Sequence, residues 1–220
     1  MESDVLEIVG IFGVSFVLAL SGALMPGPLL TVTISESVKK GPWVGPMVIL
    51  GHGLLELGLV ILIVLGLGPY LKTSLVTSSV ALIGGLVLIW MGYSMFKESG
   101  SITIPVNEME SSAAPKRSGG PIVIGVIMSL SNPYWLIWWV TIGLGYLTSA
   151  MHLGFLGIAS FFLGHITADL VWYSAVSTAI SKGRRVMSTG MYQAILKGCA
   201  ACLVVFGAWF IYSAYERFLA

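Results

Sequence analysis

Charged residues are scarce in this sequence, and their scarcity indicates which solvent surrounds the chain. Lysine, arginine, aspartate and glutamate make up 10% of the 220 residues, whereas hydrophobic residues make up 56%. A water-soluble domain carries about 25% charged residues. The mean hydropathy is +0.94, and several apolar runs exceed the roughly 18 residues that a helix needs to cross a bilayer. The sequence therefore predicts an all-α integral membrane protein.

An excess of positive charge and abundant cysteine are also missing. The formal net charge is only +1, which argues against nucleic acid as a partner, because that partner needs a basic surface. The two cysteines, Cys199 and Cys202, lie in an apolar run, where cysteine packs as a small apolar residue. There is no second cysteine pair for a zinc site and no HExxH motif of a metalloprotease. We expect a protein that is not an enzyme and needs no cofactor.

Long apolar runs predict six transmembrane spans in a single domain, residues 1–220. The spans cover about residues 6–38, 43–67, 75–96, 121–147, 153–180 and 196–218. Between the third and fourth spans, residues 97–120 are rich in serine, glycine, proline and charge. Such a segment has too little apolar surface to offset its ordering entropy, so it is predicted to be a flexible linker.

The basic residues predict the orientation of the spans. Those that follow the first, third and fifth spans are Lys39, Lys40, Lys97, Lys116, Arg117, Lys182, Arg184, Arg185 and Lys197. The opposite side holds only Lys72 and Arg217. Because basic residues favour the cytoplasmic side of a membrane, we expect both termini outside and the linker in the cytoplasm.

The second and fifth spans contain a similar phrase. GHGLLELGLV begins at Gly51 and GHITADLVWY begins at Gly164, and each contains a histidine followed four residues later by an acid. The phrases predict two three-span repeats, about residues 5–96 and 121–220. An odd number of crossings separates them, so the repeats would be inverted, as in many secondary transporters. A chance match in glycine-rich apolar sequence is the alternative.

Prolines interrupt the first and fourth spans. The first reads MPGPLL, with Pro26, Gly27 and Pro28, and the fourth reads SLSNPYWL, with Asn132 and Pro133. Proline removes a backbone donor and disrupts a helix interior. Broken backbone is tolerated at membrane depth only where protein buries it or water reaches it. We predict that these five residues shape a substrate site, whereas a simple kink is the alternative for a single intramembrane proline.

Away from their ends, the spans contain four charged or histidine residues: His52, Glu56, His165 and Asp169. The spacing of four places each histidine and its acid on one helix face. Intramembrane acids are costly, so their presence indicates a function. We interpret the four residues as a coupling or proton site, and local histidine–acid contacts that only hold helices together are the alternative.

Three tryptophans follow the second interruption: Trp135, Trp138 and Trp139. Tryptophan is typical of the headgroup level of a membrane, and this placement is the one we expect. The alternative is that one of them forms the wall of a cavity.

The sequence resembles the LysE/RhtB superfamily of exporters. The resemblance rests on the early PGP, the segment GPWVGPMVILGHG that follows it, the basic linker and the NP that opens the second half, and it covers nearly the whole chain except the linker. It implies an exporter of amino acids or close derivatives in the plasma membrane, driven by a proton or cation gradient. Its partners would be a small-molecule substrate and the lipid bilayer, and a homo-oligomer is left open.

Two other functions compete with this one. The two histidines and two acids could form a ligand set for a divalent metal, since imidazole and carboxylate suit zinc, cobalt or nickel. The chain would then export a metal or another inorganic cation. A membrane electron carrier that works by thiol exchange is disfavoured, because proline and asparagine stand at the helix interruptions and both cysteines lie on one helix.

Overall fold

The structure is a computed structural model that describes residues 2–25, 27–71, 73–100, 120–183 and 188–219. These residues form helices and short turns, without a β-strand among them. The helices are α1 (Glu2–Ala23), α2 (Pro28–Lys40), α3 (Val44–Leu62), α4 (Gly68–Leu71), α5 (Ser74–Ser99), α6 (Pro121–Leu130), α7 (Pro133–Trp138), α8 (Leu144–Ala150), α9 (Gly154–Gly183) and α10 (Thr189–Leu219). Single π-helical turns, Ile63–Leu67 and Trp139–Gly143, join α3 to α4 and α7 to α8. The predicted linker falls mostly outside the described residues.

Five helical stretches in the described residues are long and apolar enough to cross a membrane. They are Asp4–Ala23, Val44–Leu71, Ser74–Lys97, Tyr134–Gly183 and Thr189–Glu216. The stretch Tyr134–Gly183 contains the end of the predicted fourth span and all of the fifth. Pro121–Leu130 is a shorter apolar helix. The second interruption divides the fourth predicted span, so its first part is the short helix Pro121–Leu130 and its second part lies in the stretch Tyr134–Gly183.

Both proline-marked sites interrupt a helix. The helix α1 ends at Ala23, Gly27 is extended with φ −147° and ψ −175°, and α2 begins at Pro28. Likewise α6 ends at Leu130 and α7 begins at Pro133. Proline suits the first turn of a helix, where its missing N–H has no intrahelical partner to lose. Pro26 lies outside the described residues.

The two interrupted segments each run beside an unbroken partner. The Ser160 hydroxyl of α9 donates to the Ile8 carbonyl, and the Ser181 hydroxyl donates to the Ser37 carbonyl. The segments α1 and α2 therefore lie beside α9 and run parallel to it. The helix α6 likewise packs along α3, where the His52 ring contacts Ser129.

Glycines in the repeated phrase permit the close approach of these helices. A Cβ on Gly51 would lie 1.9 Å from the Ile122 carbonyl oxygen of α6, and one on Gly164 would lie 2.4 Å from the Phe12 carbonyl oxygen of α1. No side chain fits at such distances, so only glycine allows the backbones to meet. Gly51 thereby brings His52 against α6, where it contacts Ser129.

Candidate functional site

Two histidines and two carboxylates converge between α3 and α9. We call His52, Glu56, His165 and Asp169 the quartet. His52 Nε2 lies 3.2 Å from Glu56 Oε1 and 3.4 Å from Asp169 Oδ2, while His165 Nε2 lies 3.1 Å from Glu56 Oε2 and 3.4 Å from Asp169 Oδ2. All four side chains are at most 7% exposed. Each imidazole therefore contacts the acid of its own helix and the acid of the other helix.

Two tryptophans hold Glu56 from the side of α7. The indole N–H groups of Trp135 and Trp139 both donate to Glu56 Oε1, at 2.8 Å and 2.7 Å. Trp138 and Trp139 are 5% and 1% exposed, so their expected place at the headgroup level was wrong. A buried carboxylate needs donors, and this need outweighs the average preference of tryptophan for the membrane interface.

A hydroxyl fixes the orientation of the His52 ring. Ser129 on α6 donates its hydroxyl hydrogen to the Gly125 carbonyl oxygen at 2.7 Å, and its Oγ lies 2.7 Å from His52 Nδ1. A serine hydroxyl has one hydrogen, so Ser129 must accept from His52. These two hydrogen bonds place a hydrogen on His52 Nδ1 and turn Nε2 toward the carboxylates.

The second histidine is held differently. His165 packs against the rings of Trp138, Trp139 and Phe161, with centroid separations of 4.7, 5.6 and 6.3 Å. Its buried Nδ1 has no hydrogen-bond partner among the described residues. The two halves of the quartet are therefore unequal, although their sequence phrases are alike.

A cavity of about 50 Å³ joins the quartet to the helix interruptions. A water molecule needs roughly 10–15 Å³ of such space, so the cavity has room for a few waters or a small ion and its hydration shell. Its lining is Ala19, Gly22, Ala23, Met25, Gly27, Leu29, His52, Glu56, Ser129, Asn132, Tyr134, Trp135, Trp138, His165, Asp169 and Tyr173.

Three of the predicted substrate-site residues line this region: Gly27, Pro28 and Asn132. Gly27 lies beside Asn132, and both line the cavity. The Asn132 side-chain oxygen accepts a hydrogen bond from the Tyr134 amide at 3.1 Å and so caps α7. Pro28 lines a smaller adjoining pocket that reaches Phe206 and Phe210 on α10.

A family model described as LysE type translocator matches residues 20–214 of the chain. The chain belongs to the LysE type translocator family. It is accordingly a multi-pass membrane protein of a family of transporters, not of enzymes. Neither the curated proteins nor the solved structures that were compared include a match.

The cysteines of the translocator lie apart from the quartet. Cys199 and Cys202 are both free and partly buried on α10, and neither lines the cavity. Neither thiol therefore lies at a helix interruption.

Sequence reasoning missed two kinds of residue in this site. Nothing in the sequence marks Ser129 as a site residue, because the hydroxyl of an intramembrane serine usually donates a hydrogen bond to a carbonyl of its own helix. Ser129 also makes such a bond, to the Gly125 carbonyl oxygen. The tryptophans gave a signal in their clustering after the interruption, but their partner Glu56 lies on another helix.

Proposed function

We propose that this translocator is a secondary active exporter of amino acids or close derivatives across the plasma membrane. Export is coupled to a proton or cation gradient by alternating access. The observation that carries the proposal is that both helix interruptions and the quartet line one cavity. Interrupted helices around a midplane site are typical of secondary transporters.

The interruptions suit the two charged ends of an amino acid. The amino-terminal end of α2 begins at Pro28, and a helix amino terminus attracts a carboxylate. The carboxyl-terminal ends of α1 and α6 lie beside the same interruptions and present carbonyl groups, which suit an ammonium group. Pro26, Gly27, Pro28, Asn132 and Pro133 would then shape the substrate site.

The quartet would be the coupling site. Glu56 and Asp169 supply two buried carboxylates and the histidines supply groups that exchange protons. A cation in the quartet and a charged substrate beside Gly27 and Asn132 would have little water between them. The effective dielectric constant there is low, so the two charges would interact strongly. Binding of a cation in the quartet would thereby change which conformation of the protein binds the substrate most tightly, and binding of the substrate would do the same for the cation.

The helix packing supports an inverted repeat of three plus three spans. The helix α1 runs along α9 and α6 runs along α3, so the first part of each interrupted segment pairs with the second long helix of the other half. The helices α3 and α9 also contact each other, as do α5 and α10. These are the pairings that a twofold relation between the halves would generate.

Efflux from proteoliposomes tests the coupling role. We expect Glu56→Gln and Asp169→Asn to abolish gradient-driven efflux of an amino acid that the wild type exports. Glu7→Gln is the matched control, because Glu7 is an exposed acid on α1 that pairs with His152, and it should leave efflux unchanged. Full activity of both quartet variants would remove the quartet from the coupling mechanism.

Export of a divalent metal or another inorganic cation is the second candidate. It is favoured by one observation, namely that ligand atoms of all four quartet residues lie within 4.8 Å of one another. Growth protection by the expressed protein against toxic amino acids, amino-acid analogues and metal salts would separate the two functions. Protection against metal salts alone would favour the second.

A further inference from the structure

We propose that the quartet binds one divalent transition-metal ion of the zinc, cobalt and nickel type. The ligands are the Nε2 atoms of His52 and His165 and one carboxylate oxygen each from Glu56 and Asp169. This metal site is the same quartet that the proposed function uses for coupling. Equilibrium binding of a metal there does not require the protein to transport an amino acid.

Three separations in the quartet are close to the edge length of a metal tetrahedron. Zinc bonds to imidazole nitrogen and carboxylate oxygen are roughly 2.0–2.2 Å, so neighbouring ligand atoms in a tetrahedral site stand about 3.4 Å apart. His165 Nε2 lies 3.1 Å from Glu56 Oε2, and both imidazole Nε2 atoms lie 3.4 Å from Asp169 Oδ2. His52 Nε2 lies 3.2 Å from the other Glu56 oxygen, Oε1. One ligand atom from each of the four residues lies within 4.8 Å of the other three, so small shifts would bring all four to a single cation.

The ring orientation of His52 is the one that a metal ligand needs. A histidine that binds a metal through one nitrogen donates its other N–H to a nearby acceptor, which fixes the tautomer. Ser129 is that acceptor for His52 Nδ1, and its own hydroxyl hydrogen is occupied by Gly125. In the neutral ring the lone pair of Nε2 is directed at the carboxylate oxygens, and a cation between them would bond to both.

Two buried carboxylate oxygens support the same site. Among the described residues, Glu56 Oε2 and Asp169 Oδ2 are buried without a hydrogen bond and face the imidazole Nε2 atoms at 3.1–3.4 Å, and their side chains are 1% and 6% exposed. The tryptophans occupy only Glu56 Oε1, so Oε2 stays free to bind an ion. Imidazole and carboxylate together form a ligand set that suits zinc, cobalt or nickel.

The charge of such a complex also balances. Two carboxylates neutralise one divalent cation, and two neutral imidazoles add no charge. A buried site tolerates a neutral complex far better than a pair of uncompensated acids. Tyr134 and Tyr173 also line the cavity, and as neutral phenols they leave this balance unchanged.

Metal binding is tested on purified full-length protein in detergent, with Zn²⁺ and Co²⁺ as the probes. Isothermal titration should give one ion per chain, and Co²⁺ should give the strong visible absorption of tetrahedral coordination. We expect His52→Gln and His165→Gln to abolish this stoichiometric binding. His152→Gln removes an exposed histidine outside the quartet and should bind as the wild type does.

Ser129→Ala tests the positioning of His52 with all four ligands intact. Loss of such an outer partner typically weakens metal affinity 10–100-fold, and the cobalt spectrum should shift because the ring is less well oriented. Absence of stoichiometric binding by the wild type would overturn the proposal, as would equal binding by folded His52→Gln protein. Amino-acid efflux without metal binding would refute this inference alone, whereas metal binding without amino-acid efflux would refute only the proposed substrate.

Discussion

Gly27 and Asn132 lie face to face at the meeting point of the two helix interruptions. A Cβ on Gly27 would stand 3.4 Å from Asn132 Nδ2, so the glycine already fits closely against that side chain. The residues come from opposite halves of the chain, and both line the cavity that contains the quartet. A ligand bound there would contact backbone from both halves at once.

The cap of α7 can be separated from any contact of Asn132 with substrate. We expect Asn132→Ala to destabilise the protein by about 1 kcal/mol, because the Tyr134 amide loses its acceptor. Asn132→Asp keeps the acceptor and should retain stability while it changes efflux, since it places a charge beside the cavity. Thermal unfolding in detergent and an efflux assay measure the two effects. Equal losses of stability in both variants would contradict the capping role.

The two tryptophans on Glu56 should show strong energetic coupling. Trp135→Phe or Trp139→Phe alone leaves one indole N–H to donate to Glu56 Oε1, so each single variant should be tolerated better than the pair. The double variant leaves that oxygen without an indole donor, and its destabilisation should exceed the sum of the single values by about 0.5–3 kcal/mol.

A double-mutant cycle in detergent unfolding measures this coupling. Trp138→Phe is the control, because the Trp138 N–H reaches Ser21 and not Glu56. Strict additivity of the Trp135 and Trp139 substitutions would show that the indoles act independently.

Alanine at two glycines of α3 should have opposite effects. Gly51→Ala places a Cβ 1.9 Å from the Ile122 carbonyl oxygen and forces α3 and α6 apart, which we expect to cost about 1–3 kcal/mol or more. Gly58 has no atom within 4 Å of an added Cβ, and Gly58→Ala should be neutral or stabilising because alanine favours a helix. Melting temperatures in detergent check both, and a stable Gly51→Ala protein would contradict the close packing.

Cysteine labelling can determine the orientation. In a Cys199→Ser, Cys202→Ser background, Thr73→Cys should react with a membrane-impermeant maleimide added outside intact cells, whereas Lys40→Cys should not. The reason is that Lys39, Lys40, Lys97 and Lys182 lie in the last turns of α2, α5 and α9, and basic residues favour the cytoplasm. The reverse labelling pattern would place both termini inside. The background variant should retain efflux, because neither cysteine lines the cavity.

The sequence predicts those parts of the translocator that depend on local spacing. Proline fixes where a helix can begin, so the starts of α2 and α7 follow from Pro28 and Pro133. The spacing of four places His52 and Glu56 on one face of α3, which the structure shows as a contact of 3.2 Å.

Contacts between helices could not be predicted from that spacing. His52 meets Asp169 because α3 and α9 are rotated about their axes so that these two faces are opposite each other. That rotation depends on close backbone contacts, such as the contact of Gly45 with Tyr173. A glycine in an apolar run does not reveal which helix it will meet. The count of six spans stays a prediction, because one of the five long stretches, Tyr134–Gly183, contains the end of the fourth predicted span and all of the fifth.

The unequal support of the two imidazoles has a mechanical consequence. His52 is tethered on both edges of its ring, whereas His165 is tethered only at Nε2 and otherwise rests on aromatic surfaces. Turning His165 away from the acids breaks fewer hydrogen bonds than turning His52. We therefore expect the His165 ring to be displaced from the acids more easily than the His52 ring.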